Sequence, residues 1–393
     1  MRRILDGFSL QAVAAGLLSA FVGFASSFAV LVQGLRGVGA STAEAASGLM
    51  AASIAMGLCA MWLALRHRQP ISIAWSTPGA AFLATLAVPE GGFPVAVGAF
   101  LATGALIVLA GLWRPLGRAV AAIPTPLASA MLAGVLLPLC LAPFEAIAAY
   151  PALALPIVLT WVVVGRIRKI FAVPAAVIVA AIAIGTTLDA GAAAGTIAWS
   201  GPVLVVPDIS LAALTGITLP LFIITMASQN ITGIAVLKSF GYEPAPGPLF
   251  AWTGLFSLLA APFGSHGVNL AAITAALCAN EDAHPDPARR YWAAAVAGAV
   301  YVLFGLGAGV AVAFMSLAPP VLIAAVAGLA LLGALAGALS SALSEESERE
   351  AALVTFLITA SGVTFFGIGG AFWGLLAGGA LHLWGRYRAR RQG

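Results

Sequence analysis

ISIAWSTPGAAFLATLA, residues 71–87, and LLAAPFGSHGVNLAAITAALCA, residues 258–279, share an unusual design. In each, an extended-looking apolar run ends in a cluster of small polar residues, Pro and Gly, and a short helical pattern follows. The clusters are Ser76-Thr77-Pro78-Gly79 and Pro262-Phe263-Gly264-Ser265-His266-Gly267. Backbone groups freed by such breaks have no water to bond inside a bilayer, so they are tolerated only within protein or along a polar cavity. Paired broken segments in corresponding halves of a membrane chain are the best sequence pointer to a transporter's binding site.

The rest of the chain supports a membrane setting. Of its 393 residues 62% are hydrophobic and only 8% are charged, and the mean hydropathy is +1.06. Soluble domains carry roughly 25% charged residues. Cys59, Cys140 and Cys278 all lie in apolar stretches, and their odd number argues against a disulfide framework. No His/Cys cluster has metal-ligand spacing, and no cofactor is implied. The net charge of +4 does not suggest nucleic acid once the charges are placed. The N-terminal MRRILDGFSLQAVAAGLLSAFVG has a signal-like order, but its apolar run continues through Val32, so it is read as a retained first span.

Spans of about 20 residues are expected near 10–33, 41–65, 71–88, 93–113, 118–138, 148–165 and 171–188. A second series is expected near 210–234, 246–263, 266–280, 290–314, 317–339, 350–367 and 369–385. The expected class is an all-α polytopic membrane protein of about fourteen segments. The basic clusters Arg2/Arg3, Arg66/Arg68, Arg114/Arg118, Arg166/Arg168/Lys169, Lys238, Arg289/Arg290, Arg349 and Arg386/Arg388/Arg390/Arg391 each follow an even number of these spans, or none. Arg36 alone breaks the pattern. By the positive-inside rule both termini are then cytoplasmic. The acidic run SEESERE (344–350) reads as a solvated loop, and no soluble domain is expected to be appended.

Division near Ala190–Pro207 leaves seven spans on each side, and an odd number inverts the second half relative to the first. Residues 1–190 and 207–393 are the expected repeats, with the broken segments third and tenth in order. Span one (FVGFASSFAVLVQG) corresponds to span eight (FIITMASQNITGIAVLK); small polar residues interrupt both.

Span eight places Ser228-Gln229-Asn230 at mid-membrane depth, where polar groups face a cavity or a neighbouring helix. Ser265, His266, Gly267 and Asn269 are expected around the start of the second half-helix, and Ser76, Thr77 and Gly79 around the start of the first. Free N–H groups and the positive dipole end favour an anion at such a place. No Lys or Arg lies within an expected span interior, so dipoles and amide donors would have to suffice. Capping of two short helices is the simpler use of the same residues. His266 is the sole histidine at depth and a candidate proton carrier; a neutral histidine with a structural bond fits equally. Glu44, near the start of span two, is the other proton candidate, though an interfacial carboxylate is the plainer reading. Phe24, Phe28, Phe82 and Phe263 lie near the breaks and either stack on an aromatic substrate or simply pack.

ISIAWSTPGAA (71–81), ASQNITGIAVLKSFGYEPAP (227–246) and APFGSHGVNLAAITAALCANEDAHPDPARRY (261–291) resemble segments of the BenE-type benzoate/proton symporter family. The resemblance covers essentially the whole chain. It implies the fold shared by uracil/xanthine permeases and sulfate-permease-type anion transporters, with two inverted seven-segment halves. It further implies a core domain from about 10–113 and 210–314, and a gate domain from about 118–188 and 317–385. Nucleobase relatives generally carry a carboxylate in span eight; Gln229-Asn230 here suits an anionic cargo better.

The expected activity is proton-coupled uptake of benzoate or a close aromatic carboxylate by alternating access, in a bacterial-type inner membrane. A homodimer is compatible with this. A nucleobase or inorganic-anion carrier is the alternative within transport; an anion channel or a non-transporting membrane sensor is the alternative of another class. An enzyme is disfavoured, because no deep carboxylate pair or nucleophile–base pair is present.

Overall fold

The first apolar segment breaks where its serines lie. Leu10–Ala25 (α1) and Phe28–Gly37 (α2) are separated at Ser26-Ser27, whose hydroxyls both donate back to the Gly23 carbonyl at 3.2 and 3.1 Å. Side chains that bond local carbonyls compete with the helix ladder. Thr42–His67 (α3) then begins with a capping box: the Glu44 N–H donates to Ser41 Oγ, and the Ser41 N–H donates to Glu44 Oε2 at 2.8 Å. The computed structural model describes residues 9–113, 115–116, 123–186, 201–271, 273–316, 319–365 and 368–392.

The first half continues with Ile73–Trp75 (β1), Thr77–Ala84 (α4), Phe93–Leu112 (α5), Thr125–Ala149 (α6), Pro151–Ile167 (α7) and Ala172–Gly185 (α8). The second holds Leu211–Ser239 (α9), Pro246–Ala260 (α10), Val268–Leu270 (β2), Ile273–Ala279 (α11), Tyr291–Leu306 (α12) and Ala308–Ser316 (α13). Pro320–Ala342 (α14), Arg349–Ala360 (α15), Thr364–Phe365 (β3), Ile368–Gly369 (β4) and Gly370–Gln392 (α16) follow. Among the described residues, six helical runs are long and apolar enough to span a bilayer: 10–37, α3, α5, α6, α9 and α14.

Three expectations need correction. The chain is not purely α, because β1 pairs with β2 and β3 with β4, both antiparallel. The span expected at 350–367 stops at Ala360, where Gly362 takes a left-handed φ of +67° and the chain enters the β3–β4 hairpin. Its 12 residues reach only about 18 Å, against a hydrocarbon core of about 30 Å. The span expected at 118–138 corresponds to α6, which runs on to Ala149 through Pro138 and Pro143; Arg118 and the 187–200 part of the expected division lie outside the described residues.

Two packing groups emerge. In one, α3 lies against α12, α5 against α10, and α1 against α12; in the other, α6 packs on α14 and α15, α15 on α16, and α7 on α8. Small residues let the first group close: added side-chain atoms at Gly57 would meet the Gly298 carbonyl, and at Gly298 the Gly57 carbonyl. Lipid supplies no hydrophobic drive between helices, so such close backbone approach is where their packing energy arises. The groups meet where α2 touches α14, and where α6 touches both α4 and the middle of α9.

Arg290 anchors the end of the second broken segment. It is 5% exposed and donates from NH1 to the Ala279 carbonyl and from Nε to the His284 carbonyl, both at 2.7 Å. A cation on the last carbonyl of α11 also complements the helix dipole. Hydrogen bonds made by charged groups contribute about 1.5–3 kcal/mol each. Arg290→Ala is therefore expected to lower the unfolding midpoint of the detergent-solubilised protein sharply. Arg290→Lys should recover little, since an ammonium cannot reproduce the fork.

Candidate functional site

The two broken segments meet each other. β1 and β2 pair with Ile73 opposite Leu270, Ala74 opposite Asn269 and Trp75 opposite Val268. A two-stranded ribbon at membrane depth must satisfy its outer edges from side chains or neighbouring backbone. Here Ser257 of α10 accepts the Val268 N–H at 2.9 Å and lies 3.1 Å from the Val268 carbonyl. Asn230 Oδ1 accepts the Leu270 N–H at 3.0 Å. On the β1 side, Trp75 Nε1 donates to Ser27 Oγ at 3.0 Å. The breaks of spans one and eight thus each brace one strand.

The first half-helix forms as expected. Ser76 is its N-cap, Pro78 occupies the first turn, and Ser76 Oγ accepts the Gly79 N–H at 3.1 Å. Gly79 is buried, and a side chain there would strike Leu221 and Ser76 itself. Thr225 Oγ1 of α9 donates to the same Ser76 Oγ at 3.1 Å. Replacing an N-cap serine by alanine typically costs about 1 kcal/mol, so Ser76→Ala should lower the unfolding midpoint modestly. The His266 contact, made to the Ser76 carbonyl, should survive that change.

The second half-helix does not start where the sequence pattern puts it. Gly264 (φ +89°) and Gly267 (φ +128°) turn the chain into β2, and α11 begins only at Ile273. Ser265, His266, Gly267 and Asn269 therefore precede the helix and belong to the turn and the strand. What pair directly are the two extended arms, β1 and β2.

Within this crossing the polar groups sort into engaged and unengaged. His266, 2% exposed, has Nε2 2.9 Å from the Ser76 carbonyl. A carbonyl can only accept, so Nε2 carries hydrogen. Nδ1 is buried without a partner among the described residues, as is Asn269 Oδ1. Asn269 Nδ2 donates to the Leu270 carbonyl at 3.0 Å, and Ser265 Oγ accepts the Gly267 N–H. Asn230 is wholly buried and engaged at both ends, its Nδ2 donating to Met226 Sδ at 3.2 Å. Gln229 and Thr77 are half-buried, and their side chains make no hydrogen bond to another described residue.

Gln229 lies in a local irregularity of α9. Met226–Asn230 form one π-helical turn within α9, and Thr232 Oγ1 reaches back five residues to the Ala227 carbonyl at 3.1 Å. Single π turns inside α-helices occur frequently at functional sites. Thr225, Ser27, Ser257 and Trp75 escape a reading of the sequence: hydroxyls in apolar helices look like ordinary back-bonding, and only Ser27 and Thr225 lie in the interrupted spans one and eight. The Glu44 side chain is held in its capping box, and its backbone carbonyl lies beside Gly264 in the turn into β2.

Crossed broken segments in a helical membrane protein point to the binding site of a membrane transporter. The chain matches the BenE family, described as benzoate membrane transport protein, over residues 6–383, and it belongs to that family. It is 42% identical to the inner membrane protein YdcO of Escherichia coli over 94% of both chains. It is 32% identical to the benzoate membrane transport protein of Acinetobacter baylyi over 96% of both. In fold it is similar to the transmembrane domain of the cyanobacterial bicarbonate transporter BicA (TM-score 0.61, 16% identity, 95% of this chain and 96% of that one). It is likewise similar to the murine Solute Carrier 26 family member A9 anion transporter in its inward-facing state (TM-score 0.62, 13% identity, 96% and 68%). The protein is a multi-pass membrane transporter and not an enzyme.

Proposed function

We propose that the protein carries benzoate, or a close aromatic carboxylate, together with protons across the bacterial inner membrane by alternating access. The observation that carries this reading is the β1–β2 crossing: His266 Nδ1 and Asn269 Oδ1 are buried there without a partner among the described residues, Thr77 opens α4 directly after the Ser76 cap, and the π turn that holds Gln229 packs on β2. The curated relative from Acinetobacter, named for benzoate transport, supports the cargo. In this reading the anion accepts hydrogen bonds from Thr77 and the Gln229 amide beside α4. Ser76, Gly79, Ser265, Gly267, Asn230 and Asn269 shape the place, and His266 Nδ1 takes the coupled proton.

The antiparallel β1–β2 pair is what two inverted repeats of seven segments would produce at their shared axis. The packing group holding the crossing would be the core, and the group built on α6 and α14 the gate. Both termini would lie in the cytoplasm, and the N-terminal residues of α3, Glu44 included, would have only a structural role. A thermal-shift panel on purified protein tests the cargo, since a ligand that binds only the folded state raises its stability by mass action. Benzoate and ring-substituted benzoates should raise the midpoint; uracil, xanthine, bicarbonate and sulfate should not. Stabilisation by a nucleobase or an inorganic anion alone would replace this reading.

A further inference from the structure

We infer that Phe28 is the ring-recognition residue of the site and sets its preference for aromatic over aliphatic carboxylates; this rests on the carboxylate reading above. Phe24 and Phe28 flank the Ser26-Ser27 break and stack with ring centroids 5.5 Å apart and planes 10° from parallel. Phe24 is further enclosed, edge-on to Trp75 at 5.6 Å and tilted against Phe304 at 5.0 Å. Among the described residues Phe28 has Phe24 as its one aromatic neighbour; both rings are half-buried.

The asymmetry assigns different work to the two rings. Phe24 has ring neighbours on three sides and Phe28 on one; in the proposed arrangement the face of Phe28 turned away from Phe24 receives the substrate ring. The stack is tied to the polar crossing by a short route. Trp75 touches Phe24 with its ring, donates to Ser27 between the two phenylalanines, and directly precedes Ser76 in the chain. Phe28 also opens α2, the helix that meets α14 across the seam between the packing groups. A carboxylate held at Thr77 and Gln229 would extend its apolar end toward this region. Aromatic faces prefer offset stacking or edge contact with another ring, so a planar ring gains there what a puckered aliphatic ring of equal size does not.

The test compares uptake of benzoate and of cyclohexanecarboxylate by proteoliposomes containing wild-type, Phe28→Leu, Phe28→Tyr or Phe24→Leu protein. Leucine keeps the apolar volume and removes the ring face. The KM for benzoate should rise roughly 2- to 10-fold in Phe28→Leu, the KM for cyclohexanecarboxylate should hold, and Phe28→Tyr should restore the preference. Phe24→Leu should lower the rates for both substrates together by disturbing the support. Unchanged benzoate KM and unchanged selectivity in a Phe28→Leu protein with wild-type thermal stability would overturn the assignment. Absence of carboxylate uptake by wild-type protein would instead overturn the carboxylate reading itself.

Discussion

His266→Gln protein is expected to exchange labelled for unlabelled benzoate at a measurable rate while losing all stimulation of net uptake by an inward proton gradient. Glutamine retains an N–H donor for the Ser76 carbonyl, which His266 bonds at 2.9 Å, but it offers nothing that can be protonated. The partnerless Nδ1 is the one basic nitrogen in the crossing, and no carboxylate of the described residues touches it. Each unit of pH difference supplies about 1.4 kcal/mol per proton moved, so a coupled carrier gains about tenfold in accumulation per unit. Exchange with no net proton movement needs none of this. Benzoic acid also crosses lipid in its neutral form, so the comparison is made on initial rates above protein-free vesicles, well above the carboxyl pKa of about 4. A His266→Gln protein that keeps full gradient stimulation would remove the proton from this residue.

The second large effect separates two adjacent side chains. Gln229→Ala should leave the unfolding midpoint close to wild type, because the amide has no partner among the described residues, and raise the benzoate KM. Hydrogen bonds to a charged partner contribute about 1.5–3 kcal/mol, which corresponds to about 10- to 100-fold in affinity. Asn230→Ala should do the reverse. It orphans the Leu270 N–H on the outer edge of β2, at a position closed to solvent. An unsatisfied buried donor costs about 1–3 kcal/mol, and the strand that carries Asn269 loses its brace. Thermal unfolding followed in detergent, together with KM from uptake, distinguishes the two residues. Equal destabilisation by both substitutions would mean that Gln229 also holds the fold.

These outcomes depend on details that only part of the sequence announces. The breaks at 71–87 and 258–279 are legible because Pro and Gly clustered inside an apolar run interrupt a helix wherever they fall, and a bilayer tolerates the interruption only where protein or a cavity satisfies it. The Ser76-Thr77-Pro78 cap follows helix-start chemistry directly. The start of the second half-helix is not legible to within several residues. Gly264 and Gly267 permit a turn but do not say whether helix or strand follows; pairing with β1, almost two hundred residues away in the chain, decides it. Gln229 and Asn230 look alike as a polar pair. A π turn, which leaves no composition signature, gives them opposite tasks. The short α15 is hidden because a hydrophobicity window cannot distinguish a spanning helix from a helix followed by an apolar hairpin.

Coupled carriage of an aromatic carboxylate through the β1–β2 crossing has a direct readout. It is the initial rate of radiolabelled benzoate entry into proteoliposomes, with and without an inward proton gradient, each corrected by protein-free vesicles. A protein-dependent rate is expected that rises with the gradient and is competed by unlabelled aromatic carboxylates but not by uracil or bicarbonate. A rate equal to that of protein-free vesicles under both conditions, from protein that is folded and reconstituted, would contradict it.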